Sequence, residues 1–331
     1  MKALVCGALG GLENLSIRDV PDPVPGPEEI LVGIEAAGLN FFDILLVQGK
    51  YQIKLDPPFI PGAECAGRVL AVGGDVTTLK TGDRVILSGV FGAFAEKIAA
   101  HHSKATPFPE TIPMHVAAAF MGTYGTSYHG LKQRGRLAAG ETLLVTGAAG
   151  GVGLAAVDIG KMMGATVIAA ASSAEKLAVA KAAGADFCIN YETEDLKARV
   201  KEITGGRGVD VVYDPVSGPL AEPCIRALGW DGRYLVVGFT SGDIAKVPMN
   251  LPLLKNAALI GVIYGPWCMR EPEAAAQNVR ELISFISDGQ LKPLISEVHA
   301  LADFAAAFQQ IAARKAVGKI VLRPNAEGHG S

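Results

Sequence analysis

The chain has 331 residues, half of them hydrophobic and 19% charged, which is enough for a large core and about two domains and excludes a largely disordered polypeptide. A net charge of −3, with basic residues spread along the sequence rather than in runs, excludes the footprint of a nucleic-acid binder and favours a small-molecule partner. Five cysteines, at 6, 65, 188, 224 and 268, form no C-x-x-C pair, which argues against a disulfide framework and a thiolate metal cage and places the protein in a reducing, cytoplasmic setting.

The N-terminal stretch MKALVCGALGGL carries one lysine before an apolar run, but Glu13 follows at once and no small-residue cleavage site is evident. It reads as a first strand and not as a secretory signal. Residues 1 to about 120 then run through short apolar segments broken by Gly and Asp-Gly turns, such as EEILVGIEAAGLN, GAECAGRVLAVGGDV and KTGDRVIL, a pattern of an irregular β-rich domain. From about 140 the rhythm changes. Strands expected at 142–148, 166–171, 187–190, 210–215 and 233–239 alternate with helices at 151–163, 175–183, 194–203 and 219–228, and a sixth strand is expected at 258–264. Buried parallel strands read as continuous apolar runs because helices cover both faces, so this alternation predicts an α/β fold with a doubly wound parallel sheet of six strands. The most apolar internal run, residues 256–269, is shorter than the ~20 residues that span a bilayer, so no membrane partner is expected. The tail holds helices near 273–288 and 302–314 and a last strand, GKIVLRP, with no place in a completed six-strand sheet. It is expected to return to the first domain, giving domains 1–120 with 265–331 and 121–264, and to finish in a loose end, NAEGHGS.

The segment Gly147, Ala148, Ala149, Gly150, Gly151, Val152, Gly153 sits where a strand passes into a helix. Glycine there permits a tight turn, lets a pyrophosphate approach the helix N-terminus and lets the helix pack close on the sheet. The spacing departs from G-x-G-x-x-G, with Ala149 at the middle glycine. Within a five-fold β-α alternation it favours a dinucleotide over a turn kept glycine-rich for packing alone. An NAD site places Asp or Glu at the end of the second strand to bond the ribose 2′-hydroxyl. Here that strand ends in Ala169, Ala170 and Ala171, followed by Ser172, Ser173 and Lys176. Two hydroxyls and an ammonium without a carboxylate suit a 2′-phosphate, so NADPH is the better match, with a solvated helix-start lysine as the alternative for Lys176 and an ordinary first-turn role for Glu175.

The motifs GLNFFD, PGAECAG, GDV…KTGDRV, GTYGTSYHGL, VTGAAGGVG, GAD…NY and GGRGVDVVYDPVSG, in this order, resemble the medium-chain dehydrogenase/reductase superfamily, and within it the zinc-free NADPH:quinone oxidoreductases of the zeta-crystallin group. The resemblance covers residues 1–323 and implies a Rossmann cofactor domain beside a discontinuous GroES-like catalytic domain. The zinc-dependent alcohol dehydrogenases of the superfamily carry a cysteine aligned with GLNFFD and a histidine aligned with PGAE. This chain has Asn40 and Ala63 there, and the cysteine-rich structural zinc lobe is absent, so no metal is expected. Without a Lewis acid the hydride acceptor must delocalise its own charge, as quinones and carbonyl-conjugated alkenes do.

By the same resemblance, Asn40, Tyr51 and Thr126 line the nicotinamide and substrate cleft: Asn40 for positioning, Thr126 for cofactor contact, Tyr51 as a hydroxyl or proton source near the acceptor carbonyl. Ser172, Lys176 and Tyr191 become the adenosine-phosphate neighbourhood, and Gly238, Phe239 and Ile263 lie near the pyrophosphate and nicotinamide ends. Asp214, at the end of the fourth strand, could meet a ribose or simply stop a strand. The branch also implies a homodimer formed by edge pairing near ALIGVIY. The expected activity is an NADPH-dependent reductase of quinones or activated alkenes. A 2-enoyl thioester or haloacrylate-type reductase, an NADPH-binding structural protein and a zinc alcohol dehydrogenase are the competing readings.

Overall fold

The computed structural model describes residues 1–324; the segment 325–331, where a loose end was expected, lies outside the described residues. Among the described residues fifteen strands occur in chain order: β1 Lys2–Cys6, β2 Leu15–Asp19, β3 Glu29–Leu39, β4 Glu64–Val72, β5 Arg84–Ser88, β6 Lys97–His101, β7 Ala105–Pro107, β8 Thr142–Thr146, β9 Thr166–Ala171, β10 Phe187–Asn190, β11 Val209–Asp214, β12 Leu228–Val236, β13 Ala258–Gly261, β14 Ile295–Ala300 and β15 Lys319–Arg323. They fall into two compact units, Met1–Gly122 with the described residues from Pro293 on, and Thr123–Lys292.

In the first unit, β1 and β2 form an antiparallel hairpin and a second sheet runs β14-β15-β3-β4-β5-β7, with β6 also on β3. The long β3 alternates buried and half-buried residues up to Ala36, the pattern of a strand with one face on a core, and is buried on both faces from there to Leu39. That core gathers Leu4, Ile30, Ile34, Leu39, Leu87, Phe94 and Leu322, with Phe308 of the helix Phe304–Ala312 set edge-on to Phe94 at 6.0 Å. The C-terminal strand β15 pairs antiparallel with the end of β3, Ile320 opposite Leu39, so the chain does return to complete the unit in which it began.

In the second unit the six-stranded sheet is parallel throughout, in the order β10-β9-β8-β11-β12-β13, which is the 3-2-1-4-5-6 order of the Rossmann fold. Its strands are the expected apolar runs: β8 and β9 are buried over all but their first residue. The helices Gly151–Met162, Ala174–Ala182, Leu196–Ile203 and Ala221–Ala227 connect them. The helix Leu196–Ile203 starts two residues into its expected span because Asp195 caps it, accepting the Ala198 N–H at 2.8 Å.

Three further differences from the expectations bear on the architecture. β12 begins at Leu228, five residues early, through an irregular pairing in which Leu228 faces Val209 and Arg233 faces Val211. β13 ends at Gly261, not 264, because the apolar run continues into the helix Tyr264–Arg270, whose early Pro266 cannot extend a ladder but is tolerated in a first helical turn. The return to the first unit occurs at Pro293, not 265. The helix Pro272–Ser287 stays with the second unit: its Asn278 exchanges bonds with Gln133 at 2.9 and 3.1 Å, and its Glu281 accepts the Tyr128 hydroxyl at 2.8 Å. Among the described residues no helix is long and apolar enough to cross a membrane.

Candidate active site

In the first unit, β3 delivers its last residues to the start of the helix Phe41–Val47, and Asn40 is the residue between. Both ends of its amide are taken. Nδ2 donates to Glu64 Oε1 at 2.8 Å, and Oδ1 accepts from Lys319 Nζ at 2.7 Å. The ammonium of Lys319 also donates to Glu64 Oε1 at 2.8 Å and to the Leu39 carbonyl at 3.0 Å. Glu64 Oε2 accepts the Gly122 N–H at 2.8 Å. Glu64 and Lys319 are both buried, so the pair survives only because opposite charge and full hydrogen bonding replace the lost water. The arrangement fixes which way the Asn40 amide points. Asn40 is thus held far more firmly than an ordinary turn residue.

Asp43 is wholly buried beneath it and accepts the Asn40 N–H at 2.8 Å. Burial pushes its carboxyl up to about 7, against the opposing pull of the Asn40 N–H and the Lys319 charge. Tyr51, half-buried, rests its ring 5.5 Å from that of Phe42. Burial, helped by Asp43, raises the Tyr51 phenol, so its hydroxyl stays protonated at neutral pH and can donate a hydrogen bond. Cys65 lies in the core with its thiol pushed up by burial, a packing residue and not a thiolate ligand.

In the second unit the glycine turn lies at the carboxyl edge of β8. Gly147 adopts φ +55, a left-handed conformation, and a side chain on Gly153 would meet the Gly147 carbonyl at 2.2 Å. Ala148 and Ala149 are buried beneath the turn. Gly150 differs: an added Cβ would meet only the Gly147 carbonyl, at an ordinary 3.4 Å, so the protein's own packing does not demand glycine there. Gly150 is also the N-cap of the twelve-residue helix Gly151–Met162, which has no side-chain cap and no acidic residue in its first turn, Gly151, Val152 and Gly153. An uncapped N-terminus behind a bare glycine fits an incoming pyrophosphate.

The next strand ends in the buried alanines 169–171, and the loop after it brings together Ser172, Ser173 and Lys176. Lys176 Nζ donates to Ser172 Oγ at 3.3 Å, and Ser173 Oγ accepts the Lys176 N–H at 3.4 Å as the N-cap of the helix Ala174–Ala182. Glu175 is exposed in that first turn and is bonded by its own N–H and by Ser173. The Tyr191 N–H donates to the Ala171 carbonyl at 3.2 Å, which sets Tyr191 beside Ser172. Three loops meet at this edge: a side chain on Gly147 would touch Val216, a side chain on Gly238 would touch the Pro215 carbonyl, and the Thr240 N–H donates to the same carbonyl. Phe239 and Ile263 are exposed beyond them, Ile263 at the start of the helix Tyr264–Arg270.

Asp214 takes no part in such an edge as a ribose ligand. It is fully buried, accepting the hydroxyls of Thr146 and Tyr234 and the N–H groups of Val216 (2.8 Å) and Ser217 (2.9 Å). Thr126 opens the helical turn Thr126–His129, and its neighbour Ser127 donates to the Val152 carbonyl at 2.8 Å, which brings this turn against the first turn of the glycine helix. His129 is buried, stacked on Trp267 at 4.0 Å, and burial pushes its imidazole down to about 4, so it stays neutral. Among the described residues no three His, Cys, Asp or Glu side chains are gathered as a metal would require.

Glu64 and Lys319 are the residues that sequence reasoning missed. Glu64 was visible inside PGAE, but only as the neighbour of a missing histidine, and Lys319 lies in GKI, 255 residues further on. Nothing local links the two.

Residues 151–287 match the zinc-binding dehydrogenase family and residues 26–110 the alcohol dehydrogenase GroES-like domain. The quinone oxidoreductase-like protein 2 of Bos taurus is 39% identical over 323 residues, which cover 97% of this chain and 92% of that protein. The quinone oxidoreductase of Pseudomonas aeruginosa is 36% identical, with 98% and 99% covered. The crystal structure of the Escherichia coli quinone oxidoreductase complexed with NADPH is 31% identical and superposes with a TM-score of 0.92 over 98% of this chain and 100% of that one.

The buried carboxyl of Asp43 sets a pH dependence. Between the unfolded value of about 3.9 and the folded value of about 7, the folded chain holds a proton that the unfolded chain has released, so the stability this group contributes is full below about pH 4 and is lost as pH rises through about 7. Asp43→Asn, which mimics the protonated form, is expected to flatten that decline by roughly 3–4 kcal/mol, read as the difference between the two proteins in urea unfolding from about pH 4 to about pH 7. Parallel curves for the two proteins would show that Asp43 ionises normally.

Proposed function

This chain belongs to the quinone oxidoreductase-like branch of the medium-chain dehydrogenase/reductase superfamily, and from that premise we propose that it is an NADPH-dependent, zinc-independent reductase of quinones or carbonyl-conjugated alkenes. The observation that carries the cofactor assignment is the Lys176–Ser172 contact, placed behind a strand that ends in three alanines where an NAD site would present a carboxylate. The uncapped helix start at Gly150–Gly153 holds the pyrophosphate, Ser172, Ser173 and Lys176 hold the 2′-phosphate, and Tyr191 flanks the adenosine. Gly238, Phe239, Ile263 and Thr126 serve the nicotinamide end. When bound, NADPH supplies the hydride.

The protein's own part is orientation and protonation. Hydride addition sends an electron pair onto the acceptor's carbonyl oxygen, and one proton then completes the reduction. Tyr51, half-buried with a hydroxyl that carries its proton at neutral pH, is assigned the donor role, and Asn40 suits positioning because Lys319 and Glu64 lock its amide. Zinc independence rests on residue chemistry. Catalytic zinc takes about three protein ligands; Ala63 offers none, and the Asn40 amide is already committed to Glu64 and Lys319. An acceptor that carries its own electron sink fits such a site.

We also propose a homodimer. β13 closes the parallel sheet with one side unpaired among the described residues and with Leu259 exposed, and an apolar open edge of this kind is satisfied by a second copy. Sedimentation should give twice the chain mass, and Leu259→Lys should shift it toward the monomer; a wild-type monomer at micromolar concentration would reject the dimer.

Lys176→Ala is expected to weaken NADPH far more than NADH, by roughly 1–3 kcal/mol in dissociation constants measured by fluorescence, as for a lost charge-assisted bond. Equal losses with both cofactors would contradict the phosphate assignment. The acceptor is tested by NADPH oxidation with metal-stripped protein against 1,4-benzoquinone, 9,10-phenanthrenequinone, an enone, a haloacrylate and crotonyl-CoA. Turnover of a quinone or the enone is expected. Tight NADPH binding with silence across that panel would defeat the reductase reading in favour of a binding role, and preference for crotonyl-CoA would move the chain to thioester reduction.

A further inference from the structure

The edge of the parallel sheet opposite the glycine turn holds a cavity of about 200 Å³ at the starts of β11 and β12. Six residues of β11 at ~3.3 Å each separate it by roughly 20 Å from the edge where the dinucleotide turn lies, so it is not an extension of that site. Its wall carries four cations, Lys201, Arg207, Arg226 and Lys255, and no acidic residue. In a chain of net charge −3 that is a marked local excess.

The charges are largely uncompensated. Arg226 has a carboxylate partner, Glu222 at 2.7 Å. The Arg207 guanidinium donates only to the Thr204 carbonyl at 3.2 Å, the Lys255 ammonium donates to the Leu228 carbonyl, and neither they nor Lys201 pair with a carboxylate among the described residues. Burial, and then the charges of Lys201 and Lys197, hold the Lys255 ammonium below its ordinary range, so these groups repel one another as they stand. Like charges collected around a concavity without a counterion present an anion site in electrostatic terms. Trp230, 72% exposed on the rim, adds a flat apolar face beside the charges.

We infer that this pocket is a second ligand site, for a phosphorylated small molecule bearing an aromatic ring, with the phosphates on Lys201, Arg207 and Lys255 and the ring against Trp230. Its volume is below the ~300 Å³ floor of a drug-sized pocket, which suits a diphosphate with its ring left on the rim and excludes a whole enclosed dinucleotide.

The test uses the full-length protein saturated with NADPH, so that the dinucleotide turn is filled, titrated calorimetrically with sodium pyrophosphate, ADP and adenosine. Saturable binding of pyrophosphate and ADP is expected, with no binding of adenosine. The exposed pair Lys201→Glu and Arg207→Glu should weaken both anions at least about tenfold, as for lost charge-assisted contacts, while NADPH turnover is unchanged. Trp230→Ala should weaken ADP several-fold and leave pyrophosphate unaffected. No saturable heat from either anion, or undiminished binding in the Glu pair, would overturn the site. ADP affinity unchanged in Trp230→Ala would overturn the ring contact.

Discussion

The ammonium of Lys319 is the contact on which the arrangement around Asn40 in the first unit depends. It lies buried on a strand from the end of the chain and bonds the Leu39 carbonyl, the Asn40 amide and the Glu64 carboxylate, at the junction of β3, β4 and β15. A charge taken out of water at this cost is tolerable only when its partner and its geometry are complete. The same bonds that neutralise it therefore leave Asn40 a single orientation. A discontinuous unit follows from this: unless β15 returned to β3, Glu64 would be a buried carboxylate without a cation, and Asn40 an amide free to turn.

The second unit solves a comparable problem with a carboxylate. Asp214, buried at the point where strand order reverses, has four donors aimed at it, two of them from β8 and β12 on either side of its own strand. Those bonds hold the loop Pro215–Ser217 in place, and that loop in turn supports Gly147 on one side and Gly238 on the other. The residue types that read as a possible ribose ligand thus act one layer further in, setting the shape of the edge without facing it. Ligands of open α/β sheets bind outside the carboxyl ends of the strands at such a reversal, and the uncapped glycine helix opens there.

The glycines of this one turn are there for different reasons. Gly147 and Gly153 are required by conformation and by close packing, and they would be required whatever the turn held. Gly150 is not, which makes it the position where absence of a side chain speaks for a ligand and not for the fold. The three alanines ending β9 work in the same way: they are buried and small, and what matters for the cofactor is the carboxylate they do not carry.

Local sequence determined much of this protein. Continuous apolar runs between amphipathic segments specified a parallel sheet, since period and hydrophobicity are properties of neighbours along the chain, and the strands of the second unit fell within a few residues of where those runs lie. The glycine turn and the Ser172–Lys176 loop were legible for the same reason, each being a single short segment. Where the apolar run Ala258–Tyr264 crossed from strand into helix, periodicity could not locate the break, and the helix Pro272–Ser287 was assigned away from the unit whose Tyr128 and Gln133 hold it. The Glu64–Lys319 pair and the basic pocket of Lys201, Arg207, Arg226 and Lys255 were decided by tertiary structure alone. Charges that look dispersed along a chain become a pair or a cluster only when strands far apart in sequence are brought side by side, because Coulomb energy and desolvation depend on distance in space.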